Sequence, residues 1–373
     1  LQDKLDALEN RLADLDGPAQ DKSPKDPLPR LKARELIDQV PKNISPESLT
    51  AMQHLQAMKA MGIEDETVKA LEKQVEEQMA TAVEMIEKPL YEMEAQFLTA
   101  YHMGAHFMEA GLSPHKEPVE EIKEQFLRAV ANKESVAGGD WACLDLSGEN
   151  LDNIDLSRAF LEQVDFSGAS LKGANLSGAI LARANLSGAD FSGANLEGAN
   201  VGAVSAEKTN FSRADLKGAK LSRGDFTRAD FTGANLEETE TLYIKIDYAD
   251  FTRAVMPGLQ ILETKMRGTC FAGADLYTAF FMMSSLEDVD FTGAIMNRCL
   301  FANVEIKNTC FDQTEFCGGC FAGTDAEQAH LEGLSFRGAI LHRTNFQRML
   351  LQNADFSSAD LEYAYFESAD LSG

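Results

Sequence analysis

The residues of this chain best suited to chemistry are its cysteines and histidines. The closest pair is Cys317 and Cys320, in the run CGGC. A CxxC pair performs redox chemistry when it opens a helix, because the helix dipole lowers the pKa of the thiol. No helical pattern follows this pair, so we do not expect that activation. A zinc site would need two further ligands in addition to the two thiolates.

Two histidines form a second candidate. His102 and His106 stand one helical turn apart, with Glu109 nearby, and such a pair can bind zinc. The Glu that follows the first His in the hydrolytic motif HExxH is missing, so we favour an ordinary helix surface or core position. The sequence also has no nucleophile, base and acid at motif spacing, no GxGxxG before a helix and no P-loop. We therefore predict a protein that is not an enzyme and needs no cofactor.

A five-residue repeat dominates the tract that contains the cysteines. Every fifth residue from Leu146 to Leu371 is apolar except Thr241, and a small residue usually stands two positions earlier. Asp or Asn often lies between the two, as in residues 174–178 (ANLSG). A period of five fits neither an α-helix nor a flat strand. A repeat this long determines the architecture of the tract.

Residues 141–373 resemble the pentapeptide-repeat family, whose consensus is A(D/N)Lxx. The resemblance implies a right-handed, four-sided β-helix with four pentapeptides per coil. The large central residue and the small residue two before it would point inward, and the other three positions outward. Large and small inward residues can fill a narrow core, while stacked coils pair at about 4.8 Å. We predict a mainly β solenoid of about eleven to twelve coils with an N-terminal α-helical domain.

The first 140 residues have a different pattern, which we divide into two parts. In residues 1–29, leucines spaced by four and three from Leu1 to Leu15 predict a short coiled coil or docking helix, and four prolines then predict a linker. Residues 30–140 predict an α-helical domain whose last helix covers about Val119 to Ala131. The chain starts in mid-heptad without Met, so we expect a fragment or a processed form of a longer protein.

The chain is strongly acidic, with a formal net charge of −26. The repeat tract alone holds 18 basic and 33 acidic residues, a net charge of −15. This charge argues against a nucleic-acid groove. No apolar stretch is long enough to span a membrane, and no signal-peptide pattern opens the chain. With six unevenly placed cysteines, we expect the reducing cytoplasm, or secretion by a route that needs no signal peptide.

With twenty residues per coil, residues twenty apart should form a column on one outer side of the rod. One column carries Phe160 and Ile180, then polar residues, then a run of apolar residues where Asp or Asn is usual. Contiguous exposed apolar surface indicates an interface, so we predict that this stripe binds the N-terminal helices, a second copy or another protein. The predicted stripe and its neighbours are Phe280, Leu300, Cys320, Ile340, Met282, Met283 and Tyr277.

Two further columns carry titratable residues. Cys270, Asp290, Cys310 and His330 would share one column, which makes Cys310 and His330 neighbours and the best metal candidates of the tract. The pattern still favours no bound metal. A basic run extends from Lys208 to Arg228 and should be a solvated surface balanced by acidic residues. Residues 236–270 keep the five-residue phase but few consensus units, which predicts a distorted coil.

Two classes of function fit these observations. The first is a rigid scaffold or adaptor for protein–protein interaction; helices followed by pentapeptide repeats are similar in layout to large bacterial proteins, including some associated with type VI secretion. The second is a DNA mimic, because some acidic pentapeptide-repeat proteins occupy the DNA-binding saddle of DNA gyrase. We favour the first, since the basic run interrupts the acidic surface.

The last coil should expose unpaired strand edges, which favour association with another chain. In related proteins this end forms dimers. We therefore predict a homodimer through the last coil, around Tyr363, Tyr365 and Phe366.

Overall fold

The computed structural model describes residues 95–96, 98–107, 115, 117–322 and 335–372. The predicted heptad helix, the linker and most of the predicted helical domain lie outside these residues, as does His330. The chain divides into two compact units, Pro29–Gly104 and the remainder. In the first of these units, described residues 98–104 are helical. None of the helices in the described ranges has the length and apolar character needed to cross a membrane.

The second unit contains one short 3₁₀ helix, one α-helix and a parallel β-helix. The 3₁₀ helix is Ala105–Phe107, and α1 is Val119–Ala131, which agrees with the predicted helix. Most coils pair through isolated bridges, and longer strands form where the sides flatten. These strands are β1 (Gln260–Leu262), β2 (Lys265–Arg267), β3 (Phe280–Met282), β4 (Ser285–Glu287), β5 (Leu300–Ala302), β6 (Glu305–Lys307) and β7 (Cys320–Ala322).

Each pentapeptide ends in a tight turn that the repeat sequence explains. The amide of Ala174 donates to the carbonyl of Leu171 at 3.1 Å, and the residue between them, Gly173, has φ +62°. This is the geometry of a type II turn, whose third residue needs a positive φ. Glycine takes this conformation without steric cost. Many coils nevertheless place a larger residue there, such as Arg228 at φ +60°.

The Asp or Asn of each repeat caps the next turn. Asp250 accepts hydrogen bonds at Oδ1 from the Thr252 amide at 2.8 Å and the Thr252 hydroxyl at 2.5 Å. Asn residues also link coils, because the Asn175 amide donates to Asp155 one coil earlier at 3.0 Å. An Asn above an Asp therefore replaces like-charge repulsion with a hydrogen bond. These outward side chains organise the backbone.

The rod interior is lined by phenylalanine. Phe271, Phe291 and Phe311 stack on successive coils with centroids 5.2 and 5.1 Å apart, and all three are fully buried. At the N-terminal end, Phe126 of α1 packs edge-on to Trp141 at 5.1 Å. The predicted cover over the first coil is therefore present.

Coil register holds at twenty residues along most of the rod and then changes once. Asp155 bridges Asn175, and Asp290 bridges Cys310. Beyond this point Cys310 bridges Ser335, Glu315 bridges Ile340 and Cys320 bridges Asn345. These pairs are 25 residues apart, so this coil contains five pentapeptides. The prediction of a uniform twenty-residue coil is wrong here.

The predicted distortion in residues 236–270 takes the form of a polar interruption in the core. Thr241 stands where every neighbouring repeat has a large apolar residue, and it is buried. Its hydroxyl donates to the Gln260 carbonyl at 2.6 Å. A small apolar cavity lined by Leu221, Thr241 and Ile261 lies in this part of the interior. Thr241 is too short to fill the space that a Leu would occupy.

Candidate protein-binding face

The candidate site is a four-stranded parallel sheet, in the order β1-β3-β5-β7. Its middle residues point into the core; Phe281 and Phe301 are fully buried. The residues on either side of them point outward, because side chains alternate along a strand. Two outward columns result, and we call them together the apolar sheet. The first column contains Gln260, Phe280, Leu300 and Cys320, and the second contains Leu262, Met282 and Ala302.

Apart from Gln260, the described outward residues of this sheet are apolar or cysteine. Phe280, Leu300 and Met282 are all half-buried, and Met283 at the adjoining turn is 46% exposed. The sequence prediction found the first column but missed Leu262 and Ala302. A period-two reading from each apolar outward residue would have found them, because residues i and i+2 of a strand face the same side.

Two predicted members of the stripe lie elsewhere. Ile340 bridges Glu315 instead of Cys320, because of the 25-residue coil. It therefore belongs to the adjoining side of the rod, with Ile295 and Asp275. Tyr277 follows Asp275 on that same side and is 40% exposed. Asn345 takes the place that Ile340 was predicted to hold.

The same side of the rod is covered further toward the N-terminus. Phe160, Ile180, Asn200, Lys220 and Glu240 form one bridged column, in phase with Phe280 and Leu300. Ile180, Asn200 and Lys220 are all buried. The half of this side near the N-terminus is thus closed to solvent.

Part of this cover is the 3₁₀ helix. The Arg183 guanidinium donates to the Ala105 carbonyl at 2.7 Å. His106 lies so close to Gly202 that a Cβ there would come within 2.5 Å of the His106 Cβ. Gly202 stands in the position that large side chains occupy in the apolar sheet. Small residues thus make room for a docked segment.

Burial controls the electrostatics of this contact. His106 is 3% exposed, and burial lowers its pKa to about 4, with Glu240 opposing the shift and Lys220 and Arg223 adding to it. A neutral imidazole packed among cations is a poor start for a metal site. The structure therefore explains His106 as a packing residue.

Comparisons with known proteins agree with this geometry. A pentapeptide-repeat protein from the thylakoid lumen of Arabidopsis thaliana is 34% identical, in a match covering 26% of this chain and 69% of that one, with a TM-score of 0.20. The sequence profile of pentapeptide repeats matches this chain in eight copies, within residues 145–173, 169–202, 209–240, 284–321, 320–357 and 341–373. The chain belongs to the pentapeptide-repeat family.

Other solved pentapeptide-repeat proteins are less similar in sequence. HetL, involved in heterocyst differentiation regulation in the cyanobacterium Nostoc, is 21% identical; the match covers 66% of this chain and 94% of HetL, with a TM-score of 0.34. QnrB1, a plasmid-mediated fluoroquinolone resistance protein, is 16% identical; the match covers 61% of this chain and 94% of QnrB1, with a TM-score of 0.19. No curated protein sequence matches the chain.

The side of this pentapeptide-repeat rod that follows the apolar sheet is charged. It is the three-stranded sheet β2-β4-β6, where Arg267, Glu287 and Lys307 form an ion ladder with distances of 3.1 and 3.2 Å. The two cations hold the pKa of the Glu287 carboxyl below its usual value, with Lys307 the larger cause. The apolar sheet therefore contrasts with a neighbouring side that is fully polar.

The basic run of the repeats is neutralised by acidic neighbours. Lys217 contacts Glu237 at 2.8 Å and Lys220 contacts Glu240 at 2.6 Å, each one coil apart. Arg228 also lies over the Tyr248 ring at 5.6 Å. These contacts fit the predicted balanced surface better than an anion site.

The cysteines of the repeat tract are free thiols. Cys299 is buried and donates to the Leu276 carbonyl at 3.0 Å, and burial raises its pKa to about 12. Cys320 belongs to the apolar sheet, while Cys317 lies on the adjoining side. Cys310 bridges Ser335, so its predicted neighbour His330 does not hold that register position. These positions give no basis for redox chemistry.

Proposed function

We propose that this pentapeptide-repeat protein is a non-enzymatic scaffold that binds a partner protein on the apolar sheet. The observation that carries the proposal is the pair of adjacent outward columns formed by Phe280, Leu300, Leu262 and Met282. Soluble proteins rarely present large apolar side chains together on a regular surface unless that surface is an interface. The docked 3₁₀ helix supports the proposal, because it shows that this side of the rod accepts a short segment.

The chemistry of the face indicates the class of partner. Its length across four coils is about 14 Å at 4.8 Å per coil spacing, which is near ten residues of α-helix. Glu263 borders it at one corner, and the repeat tract has a net charge of −15 from 18 basic and 33 acidic residues. We therefore expect an amphipathic helix with basic residues beside its apolar stripe. Methionines on the sheet would let such a contact adapt in shape.

Site-specific photo-crosslinking in the native host tests this proposal. A photoreactive residue at Met282 should give a discrete adduct with one partner protein, and the same residue at Ser285, on the charged sheet, should not. The double change Phe280→Asp and Leu300→Asp should remove the adduct, because carboxylates cannot be buried unpaired in an apolar contact. Ser285→Asp is the matched control. Equal adducts from both positions, or an adduct that survives the double change, would overturn the proposal.

A second candidate is a DNA mimic that binds DNA gyrase or another topoisomerase. The feature that favours it is the outward Asp and Asn column through Asp155, Asn175 and Asp215, together with the net acidity of the tract. The ion pairs at Lys217 and Lys220 reduce this charge in the middle of the rod. A gyrase supercoiling assay separates the candidates, since strong inhibition by the purified chain would favour the mimic over the scaffold.

We also propose self-association through the last coil. Tyr363 and Tyr365 are 69% and 54% exposed, while Phe366 stacks on Phe346 at 5.0 Å. Tyr363→Glu with Tyr365→Glu should shift the mass measured by light scattering from dimer to monomer. A monomer mass for the unchanged chain at every concentration would contradict this. A cytoplasmic location and a link with type VI secretion remain predictions from composition and layout.

A further inference from the structure

A histidine and two carboxylates converge near the C-terminal end of the rod, on the side that adjoins the apolar sheet. Asp360 bridges Ile340 on the preceding coil, and the Arg343 amide donates to the Glu362 carbonyl at 3.0 Å. His342 and Glu362 therefore hold the same position on successive coils. Asp360 stands two residues before Glu362, across from Ile340. The coil register thus brings three potential metal ligands together from two coils.

The distances between their ligating atoms suit one ion. The His342 Nε2 lies 2.7 Å from the Asp360 Oδ2 and 3.9 Å from the Glu362 Oε2, and one atom from each residue lies within 4.8 Å of the other two. Zinc binds imidazole nitrogen and carboxylate oxygen at about 2.0–2.2 Å. Two ligands of one tetrahedral ion are then about 3.4 Å apart. Small side-chain rotations reach this spacing.

The direction of the imidazole argues for an ion more strongly than the distances do. His342 Nε2 is shielded from solvent, yet it makes no hydrogen bond to Asp360 despite the 2.7 Å separation. A direct hydrogen bond would place the carboxylate oxygen near the axis of the ring N–H. When two groups share one ion, the ion lies on that axis and the second ligand lies to its side. The off-axis carboxylate fits the shared ion.

We propose that His342, Asp360 and Glu362 form a binding site for a divalent transition-metal ion, with Zn²⁺ the best match. One imidazole and two carboxylates are ligands that zinc accepts. The side chain of His342 is 35% exposed and those of both carboxylates are 57% exposed, so water can complete the coordination. Since the ligands come from two coils, the ion would clamp the last coils to each other and stabilise them.

Cysteine is the competing source of zinc ligands in this region. The Gly318 amide donates to the His342 carbonyl at 2.8 Å, so Cys317 holds the position of His342 on the coil before. Cys317 and Cys320 could therefore bind added zinc by themselves. Cys317→Ser with Cys320→Ser removes these thiols and leaves the three proposed ligands intact.

Zinc binding to the full chain tests the site. Isothermal titration should give about one high-affinity zinc ion per chain, and both His342→Gln and Glu362→Gln should weaken binding at least tenfold, as expected for loss of one of three ligands. Asp355→Asn, another exposed carboxylate of the last coils, and the double Ser variant should bind as the unchanged chain does. Circular dichroism establishes that each variant is folded; if His342→Gln is not, Asp360→Asn replaces it.

Two readouts decide between the alternatives. Cobalt substitution should give the weak visible bands of nitrogen and oxygen ligands, and zinc should slow amide exchange in residues 355–372 only when His342 and Glu362 are present. Intense sulfur-to-cobalt bands that disappear in the double Ser variant would overturn the proposal. Zinc affinity that is the same in His342→Gln and Glu362→Gln would also overturn it.

Discussion

The phenylalanine ladder offers a stringent test of the core, and Phe291→Ala is the most informative change. Phe291 is fully buried. It stacks on Phe271 and Phe311 at 5.2 and 5.1 Å and meets Phe281 and Phe301 edge-on at 5.9 and 6.2 Å. The ring therefore has aromatic contacts on its own coil and on both neighbouring coils.

The expected cost follows from these contacts. Phe→Ala in a core costs about 3–5 kcal/mol, because burial is lost and a cavity remains. A single aromatic pair adds about 0.5–1.5 kcal/mol beyond the buried area. Phe291→Leu keeps most of the apolar volume but loses all four ring contacts. We expect a loss of about 4–5 kcal/mol for Ala and about 2 kcal/mol for Leu, since the pair energies are not additive.

Native-state hydrogen exchange measures this effect better than global unfolding, because each coil of a repeat protein contacts only its neighbours. Protection should fall most in residues 271–311 and little beyond the next coils. Tyr277→Ala is the control, because Tyr277 is 40% exposed and its loss should change the free energy of opening by less than about 0.5 kcal/mol. A cost below about 1 kcal/mol for Phe291→Ala, or an even loss of protection along the rod, would refute this account of the core.

Three further predictions concern the turns and the docked segment. Asp250→Ala should destabilise its turn by about 1 kcal/mol in urea unfolding, because the Thr252 amide loses its acceptor; Asp250→Asn should cost much less. Gly193 has φ +64° and a Cβ there would meet no atom within 4 Å, so Gly193→Ala should cost about 1 kcal/mol by backbone strain alone, whereas Arg228→Gly should not destabilise the rod. His106 should titrate near pH 4 in an NMR experiment, and docking should weaken as the pH falls from about 6.5 toward 4, because only the undocked imidazole takes up a proton in that window; a His106 pKa near 6.5 would contradict the docking.

Much of the fold could be predicted from the sequence, because the repeat encodes each turn locally. The central residue, the small residue before it and the positive-φ position recur in every consensus unit, so inward and outward sides follow without any tertiary contact. The helix Val119–Ala131 and its contact with Trp141 also follow from local patterns. The Thr241 interruption is visible for the same reason, since one polar residue breaks an apolar series.

The candidate face was only partly predictable. Phe280 and Leu300 differ from the consensus at an outward position, so the sequence reveals them. Leu262 and Ala302 were missed because the pentapeptide description assigns no facing partner to the residue after the central one. Only the lengthened strands β1, β3 and β5 show that this residue shares a surface with the column beside it.

The sequence by itself determined the period, the inward and outward positions and the acidic surface, because each depends on local residue types. Tertiary structure decided which coils are neighbours. An added pentapeptide leaves the five-residue phase unchanged, so nothing in the pattern reveals that Cys320 bridges Asn345 instead of Ile340. Only the hydrogen bonds between coils fix that register. The same register brings His342 to Asp360 and Glu362, and the docked 3₁₀ helix decides which half of one side remains open.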